Sequence, residues 1–205
     1  GYLSLFLLIP GNIAGSIVAR RSFGGEINQQ IGYYLLGIMI VFSMLLGYIN
    51  VKKDTRKHRK WMLRSVVYFA VPILPRPMAL IAASIITKMG DYYTVWRCDE
   101  VFYVLQSTDQ LSQLFPQCVT NVTDLSNNAL GVAVHASNNE GELGKSSALR
   151  LVHGMCLWIS MIISVIAVEI YIEKTDSANY SRNGFVLEPR NYDPGKESPP
   201  RSLRS

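Results

Sequence analysis

The chain has 205 residues, 49% of them hydrophobic, and a formal net charge of +5. The apolar residues fall in long blocks almost free of charge, each of roughly the 17–25 residues that cross a bilayer core, which argues against an ordinary soluble domain. The basic excess is gathered mainly between Lys52 and Arg64. Contact with the bilayer and its anionic headgroups explains it, and nucleic acid is not expected as a partner.

The sequence opens on Gly1-Tyr2-Leu3, inside an apolar run and without an initiator Met. A cleaved leader would leave a polar start, so the chain reads as a fragment with further helices upstream. Tyr2–Ala19 is the first span expected. Gly11, Gly15 and Ala19 recur every four residues along it. That row either admits a close helix neighbour or reflects how common glycine is in membrane helices. Arg20-Arg21 and Gly24-Gly25 make the following turn. Ile31–Ile49 is the second span, uncharged, with Tyr33, Tyr34 and Tyr48 near its ends, where such rings suit the interface.

Residues 51–60 then set Lys52, Lys53, Arg56, Lys57, Arg59 and Lys60 against Asp54 alone. Lys and Arg resist translocation, so this run is expected to be a cytoplasmic loop that orients every other segment. Arg20–Gln30 and Gly90–Leu149 then face outward. Arg20 and Arg21 argue the other way and are outnumbered. Trp61–Met89 is the third span, kinked or broken by Pro72, Pro75 and Pro77. Arg76 lies among those prolines at membrane depth, where a cation needs a partner or water, or must snorkel outward.

The segment 90–149 is too long for a plain connection and is expected to be a structured outer loop. Asp99–Phe115 has the apolar spacing of one or two short amphipathic helices ended by Pro116, and Gly131–Ala136 alternates weakly, like a short strand. Cys98 and Cys118 flank the amphipathic part on the oxidising side, so a disulfide between them is expected. Asn121, in Asn-Val-Thr, is the expected glycosylation site; Asn179, in Asn-Tyr-Ser, falls on the cytoplasmic side. The fourth span occupies 150–172, and 173–205 reads as a disordered cytoplasmic tail. Arg64 and Glu169 should lie at similar depth on antiparallel neighbours, where they are expected either to pair, the reading taken here, or to snorkel separately to the headgroups.

The run His58-Arg59-Lys60-Trp61-Met62-Leu63-Arg64 resembles a family of predicted multi-pass membrane proteins of fungi and bacteria, grouped as a domain of unknown function. Its hallmark is H-R-x-W-M-x-R, followed about a helix later by an arginine in apolar sequence. The match covers His58, Arg59, Trp61, Met62, Arg64 and Arg76. Phe23-Gly24-Gly25-Glu26 and Asn50 are also similar to fungal members. The resemblance implies an integral membrane fold with no established activity. Read physically, His58–Arg64 forms an interfacial collar in which Arg59 and Lys60 meet phosphates and Trp61 anchors, the alternative for His58 being a ligand or proton-transfer role.

The fold expected is therefore all-α, a polytopic transmembrane bundle of about four spans with one structured extracytoplasmic loop. No Walker loop, dinucleotide fingerprint, zinc spacing or nucleophile elbow is present, and neither catalytic residues nor metal ligands are singled out. Cys156, inside the fourth span, is read as packing. Haem is the cofactor to consider, but His58 and His153 fall at opposite membrane faces, so a haem site would need histidines from upstream. The function expected is structural or partner-binding, in the plasma membrane or a secretory-pathway membrane. The alternative is a haem-binding or proton-coupled redox protein or carrier built on Arg76 and upstream histidines.

Overall fold

In hydrocarbon an uncharged run must satisfy its backbone internally, and each long apolar block of this chain forms a helix. The structure, a computed structural model, describes residues 2–21, 25–119 and 131–181, with side chains described for 6–21, 25–118 and 131–175. The order is α1 (Tyr2–Ala19), α2 (Ile27–Asn50), α3 (Thr55–Ala70), a 3-10 turn (Val71–Ile73), α4 (Pro75–Met89), β1 (Tyr93–Arg97), α5 (Cys98–Leu105), α6 (Thr108–Leu114), α7 (Pro116–Val119), β2 (Gly131–His135) and α8 (Gly141–Ser181).

Three stretches among the described residues are long and apolar enough to cross a membrane: Ile27–Asn50, Thr55–Met89 and Gly141–Thr175. They mark an integral membrane protein. Phe6–Ala19, the part of α1 whose side chains are described, is apolar but shorter. Outward-facing Phe6, Ile38, Val66, Ile81 and Ile162 are each more than half exposed. Such a surface is a liability in water and is at home in hydrocarbon.

Helix α2 packs on α1, α3 and α8, and α8 also lies against α3 and α4. Leu36, Ile40, Tyr68, Val71, Leu157, Met161, Val168 and Ile172 fill the space between α2, α3 and α8. Beyond the proline cluster, Ala79 and Ala83 meet Ala148, Val152 and Cys156, so small residues bring α4 and α8 close. The prolines interrupt the α-helix of the third span, as expected, without ending its apolar stretch. Pro72 falls in the 3-10 turn, where the Leu74 amide donates to the Val71 carbonyl at 3.1 Å, and Pro75 opens α4, a position that needs no amide donor.

The fold departs from all-α in the segment after α4. β1 and β2 pair antiparallel, with Tyr93 opposite His135 and Arg97 opposite Gly131. The alternation Tyr93-Thr94-Val95-Trp96-Arg97 buries Thr94 and Trp96 against the bundle and exposes the rest, a period-two pattern that was not read from the sequence. Trp96, Val101, Leu111, Cys118, Val132, Val134 and Leu143 form a separate small core. Cys98 and Cys118 are joined by a disulfide, with their Cα atoms 5.5 Å apart. The tie closes a subdomain too small to rely on its apolar core alone.

Two boundaries also move. Helix α8 begins at Gly141, inside the segment expected to be loop, because Leu143, Ser147 and Ala148 face the hairpin and α4. It continues to Ser181, so 173–181, expected to be disordered, is helical. The rest of the expected tail, 182–205, and Asn121 lie outside the described residues, as does the side chain of Asn179.

Candidate functional site

The collar residues sit where α2 turns into α3. The Asp54 carboxylate accepts from the Arg56 and Lys57 amides at 3.0 and 3.1 Å and starts α3; these bonds, Lys57 first, hold its carboxyl below the usual range. His58 Nδ1 lies 2.7 Å from the Gly47 carbonyl oxygen, to which it donates as the Nδ1–H form. A Cβ on Gly47 would stand 2.9 Å from Met62 Sδ, so the glycine lets Met62 seat on α2. Trp61 meets Phe42 edge to face at 6.1 Å, and the Arg64 guanidinium stacks 4.6 Å from Trp61. Arg64 Nε and Nη2 fork onto Glu169 at 2.6 and 2.7 Å. The run therefore knits α2, α3 and α8 together at one end, while Arg59 points outward.

The opposite half of the bundle holds a second polar group. Tyr33 Oη lies 3.2 Å from His153 Nε2, and His153 is only 2% exposed. Arg76 is near enough for its charge to act on both. Gln29 is fully buried with its amide close to the Tyr33 hydroxyl, yet by strict hydrogen-bond geometry neither its nitrogen nor its oxygen is satisfied among the described residues. Buried polar groups left in that state are expensive and mark sites of interest. Asn28, one turn before Ile31, accepts the Trp158 indole N–H at 2.8 Å through its side chain.

Just above this cluster, Arg150 joins the subdomain to the bundle. Its Nη1 donates to Glu100 at 2.8 Å, its Nε lies 3.9 Å from Glu26, and its guanidinium stacks 4.9 Å from Trp96. Glu26 has its carboxyl pushed up by burial, with the Arg150 charge pulling against that. Thr94 and Ser147 share a buried hydroxyl contact, and the Trp96 indole donates to Thr94 at 2.8 Å.

At the subdomain's far edge, His135 holds both ring nitrogens against acceptors: Nδ1 is 2.7 Å from Glu140 and Nε2 is 2.9 Å from the Gly90 carbonyl. Only the imidazolium donates from both. The Gly90 bond first, then Glu140, raises its pKa above the ordinary value, and Asp91 adds to this. The raised folded value makes its contribution full below the unfolded pKa and lost as pH rises through the folded one. Thermal unfolding in detergent should accordingly show less stability of the subdomain at pH 8.5 than at pH 6, roughly the interval that brackets an imidazole. His135→Gln should flatten that difference, and an unchanged difference would remove His135 as its cause.

The structure brings together Arg64 with Glu169 and Cys98 with Cys118. It does not bring His58 to His153. Their contacts on α2, Gly47 and Tyr33, are about 21 Å apart along the helix. Arg76 is exposed on the bundle surface, and Cys156 is buried and free. Gln29, Tyr33 as a partner of His153, and the Arg150 junction were not singled out from the sequence. Comparison with protein-family models, with curated proteins and with solved structures finds no match.

Proposed function

We propose that the chain is a four-span integral membrane protein of the plasma membrane or secretory pathway. Its role is to hold the disulfide-tied subdomain rigidly on the outer side and present it to a protein partner. In this reading α1 is the additional span, and the basic 51–60 loop rests on anionic headgroups in the cytoplasm. The H-R-x-W-M-x-R run supports placing it with the family of unknown function that it resembles.

The observation that carries the reading is the Arg150 junction. A loop that merely connected two spans would need no buried cation bridging it to the bundle. With the subdomain so fixed, Tyr93 and Val95 on β1 and Phe102 and Tyr103 on α5 are left exposed. Aromatic residues presented on a rigid frame are common anchors of protein recognition. A photo-crosslinking residue at Tyr103 should give a discrete protein adduct in native membranes, whereas one at lipid-facing Leu80 should give lipid adducts. Identical adduct patterns from the two positions would reject partner binding through this face.

A second reading is favoured by the buried Tyr33–His153 contact beside Arg76 and Gln29, which suits a proton-coupled carrier or redox protein. A haem-carrying version needs histidines upstream of this sequence. A Soret band in protein purified from native membranes would favour this reading over the first.

A further inference from the structure

Arg20 and Arg21 are unexplained by the account so far. They close α1 at the end that the orientation above places outside, where bases are not needed to hold topology. Neither forms an ion pair among the described residues. Arg97, at the end of β1, donates through Nη2 to Asp99 at 2.7 Å and has no other acid partner among them. Arg20, Arg21 and Arg97, from two separate parts of the fold, line one open pocket of about 860 Å³. Its remaining wall is Ile17 and Val18, which are 65% and 61% exposed on the last turn of α1.

We propose that this cavity binds the phosphate of a phospholipid headgroup from the outer leaflet. Three guanidinium groups against one local carboxylate leave a net positive cradle, and forked N–H donors match phosphate oxygens. The apolar wall lies directly below the arginines along α1, where a lipid's glycerol and upper acyl chain would run. The pocket is open to the surface, all five of its lining residues being exposed, so a headgroup reaches the arginines while its acyl chains stay in the bilayer. The ligand also bridges α1 to the subdomain through Arg97. This rests on the four-span reading, in which the end of α1 meets the headgroup layer.

Native mass spectrometry of the full chain released from detergent tests it, because lipid retention is read there without reference to orientation. Phosphatidylglycerol and phosphatidylcholine should each be retained by the wild type, and diacylglycerol, which has no phosphate, should not. Arg20→Gln with Arg21→Gln and Arg97→Gln should weaken retention by at least about tenfold, since several charge-assisted bonds are lost. Lys52→Gln with Lys53→Gln, at the other end of the bundle, should leave that retention unchanged. Arg→Lys at the three positions should be intermediate, which separates lost phosphate geometry from a failure to fold. Equal retention of diacylglycerol, or of phospholipid by the triple Gln variant, would overturn the site. Displacement of the lipid by millimolar inorganic phosphate would overturn the lipid assignment in favour of a free anion.

Discussion

Arg150→Met is expected to be among the most destabilising single changes, costing about 2–4 kcal/mol in thermal unfolding in detergent. Removing one member of a fully buried pair costs roughly 3–5 kcal/mol. The estimate here is set lower because Glu100 and Glu26 are 32% and 37% exposed at their side chains, and water recovers part of the loss. Arg150 itself is 11% exposed and has lost most of its water in reaching them. The residual carboxylates, not the missing contact, account for most of the penalty. Arg150→Met combined with Glu100→Gln should therefore recover part of it. A loss under about 0.5 kcal/mol, the size of an ordinary surface change, would mean that the junction does not hold the subdomain.

Arg64→Ala is expected to cost about 1–2 kcal/mol, between an exposed pair and a buried one. Arg64 is 18% exposed and Glu169 48%, so the carboxylate left behind reaches solvent or headgroups more easily than those around Arg150. The forked geometry and the stacking on Trp61 raise the pair above a simple surface contact. Addition of Glu169→Ala should restore part of the loss in a double-mutant cycle. Strictly additive losses would mean that the two helices are not coupled through this pair.

The parts of the fold legible in the sequence were those with a long-range or one-dimensional signature. Unbroken apolar runs located α2, α3 with α4, and α8, because length and lack of charge leave few alternatives to a helix in hydrocarbon. Cys98 and Cys118 were legible as a pair, since position on an outer loop and chemistry agreed. The depth argument placed Arg64 near Glu169, because antiparallel spans of known length fix which residues share a level.

What was missed depends on contacts that no single segment encodes. Thr94 and Trp96 turn inward only because α8 starts early and offers Ser147 and Arg150 to them. Arg150 stands at the start of an apolar block, and its partners Glu26 and Glu100 come from two different connections. Gln29 is a polar residue in the first turn of α2, and its burial comes from packing between helices, which α2 alone does not encode. Its nearness to Tyr33, one turn away on the same helix face, was the available signal.

Membrane sidedness is the claim on which the rest depends, and cysteine labelling in sealed cells reads it directly. In a Cys156→Ser background, with the native disulfide intact, Tyr103→Cys and Lys57→Cys would be treated separately with a membrane-impermeant maleimide. The account predicts that Tyr103→Cys is labelled in intact cells and Lys57→Cys only after permeabilisation. The reverse pattern, or labelling of both positions in intact cells, would contradict it.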